Sequence, residues 1–80
     1  MSEKDVSDEQ LLEDIRLTQM EADAYWEIKN GYSLLSKLPE NIESGKSRLY
    51  RADCEHFLQL YSECSDFLAK LNEIKNNRGL

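Results

Sequence analysis

The sequence predicts an all-α fold: an antiparallel hairpin of two long helices, near residues 7–37 and 46–76, dimerising into a four-helix bundle. Three observations lead there. Apolar residues recur at steps of three and four over two long segments, the repeat of a single helix face. Strong helix formers (Glu, Lys, Leu, Gln, Ala) fill those segments. Turn formers are scarce, one Pro and three Gly in 80 residues, too few for an all-β sandwich or barrel. At 40% hydrophobic and 32% charged, the chain is too apolar and too periodic for disorder. Residues 1–80 read as one helical domain.

Residues 1–6, MSEKDV, read as a flexible terminus. The first helix opens at Ser7, which can cap it, with Gln10 three residues on to complete a capping box. Val6 and Leu11 have the spacing of a hydrophobic staple, and Asp8 and Glu9 suit the positive end of the helix dipole. Beyond the cap, Leu17, Met20, Ala24, Ile28, Gly31, Leu35 and Leu38 form one apolar stripe, expected to pack on the second helix. The stripe stays in register through Asn30-Gly31, so the helix should run on there, with Gly31 a point of close helix–helix approach. A break at Asn30-Gly31 would instead give a three-helix bundle.

The turn falls at residues 38–46. Pro39 disfavours helical geometry at Leu38 yet can open a short helical turn of its own. Asn41, Ser44 and Gly45 are loop formers, and Ile42 is the residue expected to pin the loop. Ser44 or Ser47 can cap the second helix. Its stripe, Tyr50, Cys54, Phe57, Tyr61, Cys64, Leu68 and Leu71, alternates steps of three and four without a break, a heptad seam for the core or an oligomer. Leu60, Phe67 and Ile74 widen it on one side and Leu58 on the other. Residues 77–80 read as a frayed end, with Arg78 placed to favour the helix dipole.

These helices carry more apolar surface than one hairpin seam covers. On the side of the first helix away from its main stripe stand Leu11, Leu12, Ile15, Ala22 and Trp26, expected to dock on a partner protein, with Trp26 as anchor. The expected function is that of a small acidic protein-interaction module, a regulator, an inhibitor or a small subunit. Two other readings stay open. One is an acidic decoy that mimics nucleic acid. The other is a small-ligand binder using Tyr50, Phe57, Tyr61 and Phe67.

Charge narrows the partners. Residues 1–27 hold nine acids and two bases, whereas residues 28–80 hold seven acids and eight bases. No basic stripe is present to neutralise phosphates, so direct nucleic-acid binding is not expected, nor is binding to an anionic membrane. The first 25 residues lack the pattern of a secretory signal, and no apolar run approaches the ~18 residues of a membrane span. Two cysteines make no disulfide scaffold, so a reducing, cytoplasmic setting is the expectation. Cys54 and Cys64, ten residues apart on one helix, lie ~15 Å from each other and cannot bridge. His56 falls outside the seam with no catalytic neighbour in spacing. No catalytic residue, cofactor or metal ligand set is expected.

Overall fold

A computed structural model of the protein describes residues 6–80. The reading of residues 1–5 as part of a flexible terminus lies outside them. Three helices follow in order: α1 (Asp8–Ser36), α2 (Pro39–Ser44) and α3 (Lys46–Asn77). Among the described residues there is no strand. The two long helices pack antiparallel along their length, giving a rod of 54 × 16 × 16 Å.

Local chemistry sets each boundary. The Ser7 backbone is extended, and its side chain accepts a hydrogen bond from the Gln10 amide at 3.1 Å. The reciprocal half of the capping box does not form: the Gln10 side chain donates instead to Asp14, 2.7 Å away. α1 then runs unbroken to Ser36, so the break at Asn30-Gly31 is absent. Gly31 is nonetheless no close-packing point within the chain. A Cβ placed on it would meet nothing within 4 Å.

The end of α1 leaves carbonyls without helical partners, and each one finds a donor. The Ser36 hydroxyl donates to Ser33 O, and the Lys37 amide to Leu34 O. The Asn41 side chain donates to Leu35 O at 2.6 Å, and the Ser47 hydroxyl to Ser36 O at 2.7 Å. Neither Ser44 nor Ser47 caps α3, contrary to expectation. Ser47 lies inside the first turn of α3, buried against the end of α1, and Gly45 takes the cap position with φ 80. That left-handed conformation suits glycine, which lacks the Cβ clash. The 38–46 connection thus holds a six-residue helix begun by Pro39. Ile42 points outward, 60% exposed, so the Asn41 and Ser47 hydrogen bonds hold the elbow in place of the expected apolar pin.

At the other end Gly79 (φ 75) closes α3. Its amide bonds Asn76 O, and the Leu80 amide bonds Lys75 O at 3.1 Å. This paired pattern is the Schellman cap. Arg78 ties the two ends of the hairpin together, donating to Val6 O at 2.7 Å and to Asp8 Oδ1 at 3.0 Å.

Candidate protein-docking surface

The face of α1 that meets α3 is not the one with the most aliphatic residues. Apart from Asp14 and Ser33 beside it, the buried or half-buried positions in α1 form one run, Leu11, Ile15, Thr18, Ala22, Tyr25, Lys29, Tyr32 and Ser36. Every step is four or three in alternation, a heptad seam broken by polar residues. Opposite them lie Tyr50, Cys54, Phe57, Tyr61, Cys64, Leu68 and Leu71, all half-buried or buried.

Aromatic rings explain the choice of face. Tyr32 stacks on Tyr50 and on Phe57, with centroids 6.1 and 5.6 Å apart. Tyr25 meets Phe57 at 6.1 Å, and Trp26 meets Tyr61 at 4.9 Å. Each large ring buries about 150–250 Å² and adds roughly 0.5–1.5 kcal/mol through such pairing. The rejected stripe offers Ala24 and Gly31 at its centre, which have little side chain to bury.

Two expectations are therefore corrected. Leu17, Met20, Ala24, Ile28, Gly31, Leu35 and Leu38, expected to face α3, are all exposed. Leu11 and Ala22, expected to meet a partner, are each only 2% exposed and belong to the hairpin seam, with Ile15 half-buried beside them. Leu12 and Trp26 remain about two-fifths open, and Lys29 Nζ covers the Trp26 ring at 4.3 Å. Thr18, Tyr32, Ser36 and Ser47 do work that the sequence reading assigned elsewhere. The signal that marks them is the unbroken four–three run from Leu11 to Ser36, together with ring pairs seven apart on both helices.

What remains outside is a continuous apolar band. Leu17, Met20, Ile28, Leu34 and Leu35 along the outer side of α1, with Leu38 just past its end, are 38–68% exposed. On α3, Leu49 and Phe67 are also open. Among the described residues only Leu11, Ala22 and Leu71 are buried hydrophobics. Soluble monomers rarely leave contiguous apolar patches larger than a few hundred Å². This band is the most apolar part of the exposed surface of α1.

The remaining candidate groups have local roles. Cys64 lies beside Thr18, Glu21, Tyr25 and Phe67 in an open groove of about 280 Å³. Burial, and then the negative charge and hydrogen bond of Glu21, push its thiol above the ordinary value. Such a thiol is held protonated and is a poor nucleophile at neutral pH. Tyr25 donates to Glu21 at 2.9 Å, and that bond raises its hydroxyl pKa as well. Glu13 is lowered by its hydrogen bond from Arg16. His56 is exposed and touches the edge of Phe57 at 5.4 Å. Of the rings expected to line a small-ligand slot, Tyr50, Phe57 and Tyr61 pack against Tyr32, Tyr25 and Trp26 of α1, and Phe67 is half open. Among the described residues no cluster of His, Cys, Asp or Glu could hold a metal ion, and no helix is long and apolar enough to cross a membrane.

No family model, curated protein or solved structure matches the chain.

Proposed function

We propose that the chain is a protein-docking module that lays the outer side of α1 against an apolar helical surface, as regulator, inhibitor or small subunit. The observation that carries this reading is the exposed band Leu17–Leu38, the longest aliphatic stripe of α1, left open while a more polar stripe forms the hairpin seam. An amphipathic helix in a groove reads its partner through anchors at such three- and four-residue spacing. The acids of α1 flank the band and favour approach by the less acidic end of a partner, raising the association rate more than the affinity.

A photo-activatable residue placed at Leu17, Ile28 or Leu35 in the native cell tests the proposal. Cross-links to protein should form there and not from Gln59 or Asp66, exposed on α3 on the side away from its seam. Absence of cross-links at all three band positions would refute the docking reading.

The acidic decoy stays as a second reading because charge is unevenly spread. Residues 6–27 carry seven acids and one base. A decoy binds its target through charge alone, so its affinity falls steeply with salt and survives Ile28→Glu. Docking by the band predicts weak salt dependence and loss on Ile28→Glu.

A further inference from the structure

We infer that the occupant of the α1 band is a second copy of this chain, packed with its α1 antiparallel to the first. This rests on the docking reading above and names the partner.

Three features of the hairpin converge on it. The first is area. The chain exposes 5975 Å², against roughly 5,000 Å² for a folded monomer of its 9.3 kDa mass. A rod of 54 × 16 × 16 Å carries more surface than a compact body of its mass, and the excess of about 1,000 Å² leaves room for a standard interface at ~800 Å² a side.

The second is the spacing within the band. Reversed about its middle, between Glu27 and Ile28, most of the band maps onto itself: Met20 falls opposite Leu35, Ala24 opposite Gly31, and Leu17 opposite Leu38 just past the end of α1. Ile28 stands beside the axis next to Glu27, and Leu34 falls opposite Glu21. A two-fold axis requires such self-complementarity, because the same patch serves both partners. Bulky residues meet bulky ones toward the ends, and the two smallest meet within about one helical turn of the axis. Gly31, with no neighbour within 4 Å inside the hairpin, gains there the close contact that its lack of a side chain allows.

The third is charge along the rod. The half containing the chain ends, residues 6–27 with 58–80, holds ten acids and four bases, a net −6. The elbow half, residues 28–57, holds five bases and four acids, a net +1. Lys37, Arg48 and Arg51 line a shallow groove there. Parallel pairing would stack two −6 halves together. Antiparallel pairing sets each −6 half beside a +1 half, avoiding repulsion within a Debye length of ~8 Å.

Sedimentation equilibrium from low to high micromolar concentration should show mass rising from 9.3 kDa to twice that value. Ile28→Glu, at an exposed position, should keep its helicity by circular dichroism and weaken the dimer by about 100-fold or more. Gly31→Leu should weaken it too while raising helix stability, which separates a contact effect from unfolding. Orientation is read by disulfide trapping in a Cys54→Ser, Cys64→Ala background. A mixture of Met20→Cys and Leu35→Cys chains should give mainly the mixed disulfide. Predominant self-disulfides would overturn the antiparallel arrangement. A single 9.3 kDa species throughout would overturn the second copy. In that case photo-cross-links from Leu17, Ile28 or Leu35 to a different protein would leave the docking reading standing, and their absence would remove both.

Discussion

Replacing Gly31 by Ala should stabilise the hairpin. The residue sits inside α1, five positions before its end, with a negative φ like every described residue except Gly45 and Gly79. Nothing stands within 4 Å of the position a Cβ would take, so no repulsion opposes the change. What remains is the intrinsic difference between the residues in a helix interior, about 0.8–1.0 kcal/mol in favour of Ala. For a chain of this size, 1 kcal/mol moves the midpoint of thermal unfolding by roughly 4–8 °C. Circular dichroism melts at low micromolar concentration measure the hairpin alone. An unchanged or lower midpoint would refute the reasoning, since either result means that Gly31 has a neighbour in the single hairpin or that α1 does not run through it. A midpoint that rises when dilute and rises less when concentrated would agree with close approach of a second α1.

Ser47→Ala removes the donor that reaches the buried end of α1 and leaves Ser36 O without it. A loss of about 1–3 kcal/mol is expected by urea unfolding, with the helical signal of the folded state unchanged. Arg78→Ala releases Val6 O and Asp8 together and should cost about 1 kcal/mol; faster amide exchange at the start of α1 would locate the loss. Above the ordinary thiol value of 9.0 the hairpin should lose stability. The folded state holds the Cys64 and Tyr25 protons more tightly than the unfolded chain, so their contribution is complete below the unfolded pKa values and disappears as pH rises through the folded ones. Glu21→Gln should flatten that alkaline loss and speed alkylation of Cys64 by iodoacetamide. Equal alkylation rates in both proteins would show that Glu21 does not hold the thiol.

Helix ends were legible because their causes are local. Ser7 with Gln10 placed the start of α1, and Pro39 and Gly45 placed the elbow, to within a residue or two. The seam of α3 was also plain, since every member from Tyr50 to Leu71 is apolar or aromatic. The face of α1 was not. A wheel ranks Leu17, Met20, Ile28 and Leu35 above a run containing Thr18, Lys29 and Ser36. The outcome depends on rings that meet across helices: Tyr25 and Tyr32 find Phe57 and Tyr50 only once the antiparallel register is set. Side-chain capping by Asn41 and Ser47 was hidden for the same reason, because the carbonyls they reach lie 6 and 11 residues away. The candidate site inherits that error of face. The surplus of apolar surface was visible in the sequence, and which residues carry it was not.

The elbow also bears on the order in which the chain folds. The Ser47–Ser36 hydrogen bond closes 11 residues, whereas the Arg78–Asp8 contact closes 70. Loop-closure entropy grows with length, so the first native pairing is cheapest at Pro39–Lys46 and the helices zip from there toward the chain ends. Substitutions at Ser47 should then slow folding, while those at Arg78 should mainly speed unfolding. Stopped-flow measurements on the two variants would reveal a transition state built around one buried serine.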